Sequence, residues 1–315
     1  MGLVAKSTQT MTKTLTIQNI EALIQIVLGS VDSINTVRVY RLALQDFRDW
    51  YIAHGQGELS KALIQSYALE LKEKGMNAGS INLRLIAVRR LMAEAADNGT
   101  LDPVIVSGIL RIKGMRAEGR RLGNWLTKAQ ALELLNSIST YTLKGKRDQA
   151  ILAVLLSCGL RREEAASLTF EHIQQRENRW VIVDLVGKRN SMRSIPMPEW
   201  CKSAINLWAE AAGINSGCIF RRIRRGDHLA SDCMTAQAIY DVVLEYAQKL
   251  GFNNLAPHDC RRTFAKLAHK GGSPIEQIQY SLGHASIVTT QIYLGIEQSL
   301  TDAPCDHLGL SVADI

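Results

Sequence analysis

The sequence predicts a mainly α-helical protein of two domains with one small antiparallel β-sheet. Apolar residues recur at the three- and four-residue spacing of a helix face along much of the chain. Residues 180–196 alternate instead as a strand and its return do. With 315 residues, of which 46% are hydrophobic, the chain is long enough to bury two cores.

Four apolar stripes in the first hundred residues predict a compact unit of four helices. The stripes are Ile17, Ile20, Ile24 and Val27; Tyr40, Leu44, Phe47 and Tyr51; Leu63, Tyr67 and Leu71; and Ile81, Leu85, Val88, Met92 and Ala95. Gly55, Gly75 and Gly99 separate them. We assign residues 16–110 to this helical domain and residues 1–15 to a flexible N-terminus.

A flexible, strongly basic linker is predicted at residues 111–123. Its basic residues are Arg111, Lys113, Arg116, Arg120 and Arg121, and Glu118 is its single acidic residue. Residues 1–123 contain 16 Lys and Arg against 11 Asp and Glu, whereas residues 124–315 contain 21 against 19. The excess of positive charge in the smaller part favours a polyanionic partner, and a merely solvated linker is the alternative.

Residues 124–303 are predicted to form a second domain, in which Thr127 caps the first of several helices. The small sheet belongs to this domain. Residues 180–186 alternate as a strand, Gly187-Lys188-Arg189-Asn190 form a turn, and a return strand follows through residues 193–196.

An arginine and a glutamate share one helix face in the run C-G-L-R-R-E-E-A. Arg161 follows Gly159 and Leu160 at the end of an apolar run. Glu164 then lies in the first turn of a new helix, where an acidic side chain suits the helix dipole. The three-residue spacing brings the Arg161 and Glu164 side chains together.

Two further clusters combine histidine, arginine and tyrosine. In P-H-D-C-R-R-T-F, Pro257 starts a helix on which His258 and Arg261 share one face. In L-G-H-A-S-I-V-T-T-Q-I-Y, His284 follows a helix stop and Tyr293 lies nine residues later. A phosphate gathers negative charge in its transition state, and arginines and histidines can hold it while a tyrosine hydroxyl attacks. These clusters therefore predict phosphodiester cleavage.

Taken in order, the motifs are G-L-R-x-x-E, G-K in a strand turn, H-x-x-R, L-G-H, and a tyrosine nine residues after that histidine. This ordered set resembles the tyrosine site-specific recombinases, also called phage-type integrases. The resemblance extends from about Thr16 onward. It implies the simple two-domain type, because the roughly fifteen residues before the first helix are too few for an additional arm-binding domain.

The resemblance implies a role for each residue around the scissile phosphate. Tyr293 would be the nucleophile, and Arg161 and Arg261 would hold the non-bridging oxygens. His284 would add a third hydrogen-bond donor.

Proton transfer and orientation are assigned in the same way. His258 would be the general acid or base near the tyrosine proton, since imidazole titrates near neutral pH. Glu164 would orient the cluster. Lys188 would protonate the departing 5′ oxygen; Arg189 stands where a glycine is common in the family, so Arg189 is the alternative for this role.

DNA contacts are expected in three places. The resemblance implies that the N-terminal helical domain grips DNA, with Arg84, Arg89 and Arg90 on its last helix as candidate contacts. The linker cations listed above are the second group. Arg221 and Arg222, in a basic cluster with Arg224 and Arg225, are expected to contact phosphate, and an ordinary surface loop is the alternative.

Recombination by this mechanism implies double-stranded DNA with a pair of inverted-repeat half-sites and a homotetramer assembled on two sites from free monomers. No metal and no other cofactor is expected, because the covalent link conserves the phosphoester energy. Biological roles implied for the family include movement of mobile elements and chromosome dimer resolution. A type IB topoisomerase or hairpin-forming resolvase is the rival enzyme, and a non-catalytic DNA-binding regulator is the rival from another class.

Cysteine usage and hydropathy predict the compartment. The six cysteines lack metal-ligand spacing, so we expect free thiols in a reducing environment. The sequence shows neither a signal peptide nor a run of eighteen apolar residues, which predicts a cytoplasmic protein without membrane contact.

A C-terminal tail is expected at residues 304–315. Leu308, Leu310 and Val312 form an apolar patch in it that is too small for a core of its own. The tail is either a frayed end or a segment that docks on a neighbouring protomer and couples assembly to the position of Tyr293.

Overall fold

The computed structural model describes residues 14–116, 124–186 and 192–295. These residues divide between two compact units: residues 14–116 belong to the first, and residues 124–186 and 192–295 belong to the second. The predicted fold class, mainly α-helical with small antiparallel β structure, is confirmed. Among the described residues, no helix has the length and apolar character that a membrane span requires.

Within residues 14–116 the N-terminal unit has five helices. They are α1 (Ile17–Gly29), α2 (Ile34–Ala53), α3 (Lys61–Glu73), α4 (Ala78–Asp97) and α5 (Pro103–Leu110). Side-chain oxygens of Thr16, Ser33, Ser60 and Asn77 cap the first four helices by accepting backbone N–H groups. The four-helix prediction omits α5, although Asp102-Pro103 is a start signal in which Asp102 caps the helix and Pro103 occupies its first position.

Most residues of the predicted stripes form the core of this unit, and Tyr40 and Leu63 are half-buried and pack against it. Phe47, Tyr51 and Tyr67 are fully buried and meet at its centre. Ile17 is 43% exposed, so its assignment to the core is wrong. Leu15, which we expected in a flexible terminus, is buried in its place, and its backbone N–H donates to the Tyr51 hydroxyl at 3.4 Å.

The second unit is built around the apolar helix Leu143–Cys158, against which the helices Glu199–Ala212 and Pro257–Lys270 pack. Its helices are α6 (Lys128–Asn136), α7 (Leu143–Cys158), α8 (Arg162–Ala166), α9 (Glu199–Ala212), α10 (Ala236–Lys249), α11 (Pro257–Lys270), α12 (Ile275–Leu282) and α13 (Ile287–Leu294), with a 3₁₀ turn at Phe170–His172. Residues 150–155 of α7 are all buried. Burial on every side explains why α7 lacks an amphipathic pattern.

Two antiparallel sheets lie in this unit. The first has strand order β1 (Ile173–Arg176), β2 (Arg179–Val186), β3 (Met192–Met197). The predicted hairpin corresponds to β2 and β3, with Ile182 opposite Ile195. The second sheet pairs β4 (Arg221–Arg224) with β5 (His228–Cys233), so most of the basic cluster lies on a strand, and Arg225 lies in the turn that follows.

The expectation of free thiols is wrong for two cysteines. Cys218 and Cys233 form a disulfide with a Cα–Cα distance of 5.7 Å. Antiparallel pairing places Arg221 opposite Cys233, so the chain just before β4 lies beside the end of β5. Cys158, Cys201 and Cys260 are free and buried, and Cys305 lies outside the described residues.

Candidate active site

Gly159 directs the chain from α7 into the site. Its φ of +60° is in the left-handed region, and a Cβ atom there would lie 2.5 Å from a ring carbon of Phe264. Both features require glycine. Leu160 is then buried, and Arg161 immediately precedes α8.

Substitution of Gly159 by alanine is expected to lower the free energy of unfolding by roughly 1–3 kcal/mol, because it combines left-handed strain with a steric clash. Urea unfolding measures the change. Gly57→Ala is the matched control, since a Cβ atom at Gly57 would meet no atom within 4 Å. Equal stability of the two variants would contradict this account of Gly159.

Glu164 is a buried carboxylate between two guanidinium groups. It accepts the backbone N–H of Arg161 at 2.8 Å and Arg161 Nη1 at 2.7 Å. Arg193 on β3 donates to both carboxylate oxygens, at 3.0 and 2.8 Å. Burial opposes ionisation, but the hydrogen bonds from Arg193 and Arg161 outweigh it and hold the pKa of Glu164 below its usual value.

Arg261 is the buried guanidinium of the site. Its residue is 1% exposed, Nη1 donates to the Gly159 carbonyl at 2.7 Å, and Nη2 donates to the Leu282 carbonyl. Burial and the positive charge of Arg161 lower the pKa of Arg261 to about 10, so it remains protonated at neutral pH. Arg161 Nη2 lies 3.5 Å from the same Leu282 carbonyl, which brings the two arginines together.

Tyr293 lies between the two histidines. Its ring meets those of His258 and His284 edge to face, with centroid distances of 5.5 and 5.3 Å. The hydroxyl donates to the backbone carbonyl of His258 at 3.3 Å. Burial raises the pKa of Tyr293, and the charges of Arg261 and Arg262 oppose that rise.

Both histidines have a lowered pKa. For His284 the cause is burial, followed by the charges of Arg261 and Arg161, and the pKa falls to about 4. His284 Nδ1 is 3.0 Å from the Thr290 hydroxyl. His258 is exposed, yet the protein atoms around its ring and the charges of Arg262 and Arg261 lower its pKa as well. Neutral imidazoles therefore dominate at neutral pH.

The stability of the fold should depend on the titration of His284. An unfolded histidine binds a proton below about pH 6.5, whereas folded His284 does so only near pH 4. The contribution of His284 to the free energy of unfolding is therefore complete above pH 6.5 and is lost as the pH falls towards 4. The free energy of unfolding, measured with urea, should decrease less between pH 7 and pH 5.5 for His284→Gln than for wild type. The control His269→Gln, which replaces an exposed histidine, should show the same decrease as wild type. An equal decrease in all three proteins would contradict the prediction.

Two family models match this chain. The model of the phage integrase family matches residues 124–299, and that of the phage integrase N-terminal SAM-like domain matches residues 28–99. This chain belongs to the phage integrase family.

Similar proteins agree with the family assignment. Tyrosine recombinase XerD of Haemophilus influenzae is 30% identical over 272 residues, which cover 82% of this chain and 86% of that protein. Tyrosine recombinase XerC of Roseiflexus sp. (strain RS-1) is 28% identical over 284 residues, 86% of each chain. An integrase of transposon Tn1549, solved with a circular intermediate DNA, has the same fold, with a TM-score of 0.68, 17% identity, and coverage of 96% of this chain and 100% of its own. The chain is a tyrosine recombinase, an enzyme of site-specific DNA recombination.

The structure brings together six of the residues singled out from the sequence: Arg161, Glu164, His258, Arg261, His284 and Tyr293. Arg161, His258 and Arg261 also line a cavity of about 300 Å³. Lys188 and Arg189 lie outside the described residues.

Two arginines of this phage integrase site were not singled out from the sequence. Arg262 places its guanidinium carbon 5.0 Å from the centre of the Tyr293 ring and pairs with Asp259 at 3.4 Å. Arg193 contacts Glu164 as described above. Alternation along β3 gives a signal for Arg193, because it shares a face with the buried Ile195 and Met197 and needs a partner there.

The predicted DNA-binding residues of the N-terminal unit differ in their surroundings. Arg84 pairs with Asp46 at 2.6 Å, and Arg90 donates to the backbone and side-chain oxygens of Ser30. The Nε atom of Arg89 is buried without a hydrogen-bond partner.

Other predicted DNA contacts lie on the linker and on β4. Arg111, Lys113 and Arg116 are exposed, whereas Arg120 and Arg121 lie outside the described residues. Arg222 is exposed on β4. Arg221 instead contacts the segment before β4, with hydrogen bonds to the carbonyls of Cys218 at 3.1 Å and Ser216 at 2.6 Å.

Proposed function

We propose that this recombinase cuts and rejoins DNA through Tyr293, which forms a covalent 3′-phosphotyrosyl link. The observation that carries the proposal is the position of the Tyr293 ring between His258 and His284, beside the paired guanidiniums of Arg161 and Arg261. The tyrosine oxygen attacks the phosphorus, the bond to the 5′ oxygen breaks, and the 3′ oxygen keeps the phosphate.

Arg161 and Arg261 stabilise the charge that develops on the non-bridging oxygens. Guanidinium forks match phosphate geometry, and their effect is large where water is excluded. The hydrogen bonds of Arg261 to the Gly159 and Leu282 carbonyls fix its plane before DNA arrives. This preorganisation supports a role as a transition-state clamp.

Neutral imidazoles suit the two proposed histidine roles. With Nδ1 near the Thr290 hydroxyl, His284 has Nε2 available to donate to a phosphate oxygen. His258 accepts the proton of Tyr293, which a protonated imidazole could not do. The hydroxyl now donates to the His258 carbonyl, so its rotation towards the phosphate is part of the proposed step.

Lys188, or Arg189 in its place, supplies a proton to the departing 5′ oxygen in this mechanism. The covalent link keeps the phosphoester energy, so a 5′ hydroxyl of a partner duplex can attack it and release Tyr293. Cleavage and ligation are then the same reaction in opposite directions, and ATP is not consumed.

The proposed substrate is double-stranded DNA with two inverted half-sites, bound by a homotetramer that joins two such sites. Exposed cations at Arg111, Lys113 and Arg116 support a DNA path along the linker. Because DNA is the substrate, we propose a cytoplasmic location. Movement of a mobile element is among the proposed biological roles. The Cys218–Cys233 disulfide is unusual for the cytoplasm, where disulfides are rare.

A plasmid with two copies of the target site tests the proposed function. Strand exchange should convert it into recombinant products, whereas a type IB topoisomerase would only relax its supercoils and a regulator would leave it unchanged. Candidate sites are inverted repeats in the DNA that flanks the gene. Relaxation without recombinants, from a protein that binds the site, would contradict the proposal in favour of topoisomerase activity.

The predicted tail at 304–315 lies outside the described residues, and its docking stays a prediction. Deletion of residues 304–315 should spare binding to one half-site and impair cooperative binding to a full site, measured by gel shift, because tail exchange would link neighbouring protomers. Unchanged cooperativity would mean that the tail has no role in assembly.

A further inference from the structure

Arg193 is a buried arginine on the core-facing side of β3. Its side chain is 8% exposed, and it alternates with Ile195 and Met197, which are buried on the same face. A guanidinium in such a position is unfavourable unless its donors are satisfied.

All three nitrogens of the Arg193 guanidinium have partners. Nη1 and Nη2 donate to the two oxygens of Glu164 at 3.0 and 2.8 Å, and Nε donates to the Ser281 carbonyl at 3.0 Å. A planar fork can make this bidentate contact and the third bond at once. Lysine, with one nitrogen on a flexible stem, cannot reproduce it.

The end of α12 anchors Arg193 from its other side. Gly283 terminates this helix, and a Cβ atom there would lie 2.9 Å from Arg193 Cδ. The Ser281 carbonyl belongs to the last turn of α12, where the helix dipole attracts a cation. These contacts with the end of α12 hold the Arg193 side chain independently of Glu164.

Glu164 transmits that position to Arg161. The same carboxylate accepts Arg161 Nη1 at 2.7 Å and the Arg161 backbone N–H at 2.8 Å. Without Arg193, the buried carboxylate would keep Arg161 as its charged partner in this cluster but lose the contacts that fix its plane. Arg161 is partly exposed, and its other side-chain hydrogen bond, from Nη2 to the Leu282 carbonyl, is long at 3.5 Å, so Glu164 is its main anchor.

We propose that Arg193 is a positioning residue for the reaction: through Glu164 it orients the Arg161 guanidinium towards the scissile phosphate. This inference rests on the proposed role of Arg161. We infer no direct DNA contact for Arg193, because its side chain is 8% exposed and each of its three nitrogens bonds to a protein oxygen. Its effect should therefore disappear when Arg161 is absent.

A double-mutant cycle on single-turnover cleavage of a nicked suicide substrate tests the proposal. Arg193→Ala should cleave about tenfold or more slowly than wild type, because small displacements of a positioned group have large effects on rate. In the Arg161→Ala background, Arg193→Ala should change the rate by less than about twofold, since the coupled pathway is already lost. Half-site binding should remain within about twofold of wild type throughout, because the Arg193 side chain is buried and bonded to protein oxygens.

Two further variants make the cycle decisive. Arg193→Lys keeps the charge and should fold even if Arg193→Ala does not; the same cycle with Arg193→Lys should show the same non-additivity. Arg179→Ala removes an exposed positive charge from the same sheet and should cleave as wild type does.

Full additivity of the Arg193 and Arg161 effects would overturn the inference, and so would a wild-type cleavage rate in Arg193→Ala. Failure of the proposed function itself would look different, because wild-type protein would then form no adduct on the suicide substrate.

Discussion

Replacement of Tyr293 by phenylalanine should abolish the covalent protein–DNA adduct that wild-type protein accumulates on a nicked suicide substrate. The nick lets the short 5′ fragment diffuse away, so the phosphotyrosyl link cannot be reversed. Phenylalanine keeps the ring contacts with His258 and His284 and removes only the hydroxyl that we propose to attack the phosphorus. DNA binding should therefore remain at the wild-type level while the adduct band disappears from a denaturing gel.

Tyr280→Phe is the matched control for this experiment. Tyr280 is on α12, close in sequence to the site, and is 64% exposed. Its hydroxyl should be dispensable, so this variant should form adduct at the wild-type rate. An adduct that persists in Tyr293→Phe would show that another residue is the nucleophile.

The environment of Tyr293 sets a condition on when it can react. Burial raises the pKa of its phenol, so the hydroxyl is protonated in the DNA-free protein and donates to the His258 carbonyl. A base must remove that proton during attack. We therefore expect cleavage to require rotation of the hydroxyl away from the His258 carbonyl and towards the phosphate.

The sequence contained enough information for the core of the site because its spacings are local. Arg161 and Glu164, three residues apart, meet because helix geometry brings such pairs together. His258 and Arg261 follow the same rule on α11, where Pro257 occupies the first position. The resemblance to the family then connected motifs that periodicity alone could not connect.

Contacts between distant segments were not predictable in this way. The Arg193–Glu164 pair joins β3 to α8 across 29 residues, and it depends on how the sheet packs on the helices. The Cys218–Cys233 disulfide depends likewise on the pairing of β4 and β5, which the arginine-rich sequence did not indicate. Arg262 was missed for another reason: the motif H-x-x-R ends one residue before it.

Removal of the Arg161 side chain should slow cleavage at least about a hundredfold while site binding remains almost normal, since loss of one preorganised donor to a developing anion has effects of this size. Arg161→Ala is the cleaner variant for this test. Arg261→Ala would also slow cleavage, but it would leave the buried Gly159 and Leu282 carbonyls without their donor and lower stability. For that reason Arg261→Lys, which keeps a charge there, should accompany it.

A linker cation should give the opposite pattern. Arg116 is exposed, so Arg116→Ala should weaken DNA binding and reduce the slope of log K against log salt concentration by about one. At saturating protein it should cleave normally. Arg120→Ala should behave in the same way. Gel shifts over a range of salt concentrations and single-turnover cleavage separate the two effects. Poor cleavage by Arg116→Ala at saturation, together with normal cleavage by Arg161→Ala, would mean that the roles are reversed, because a clamp acts on the transition state and a linker cation acts on binding.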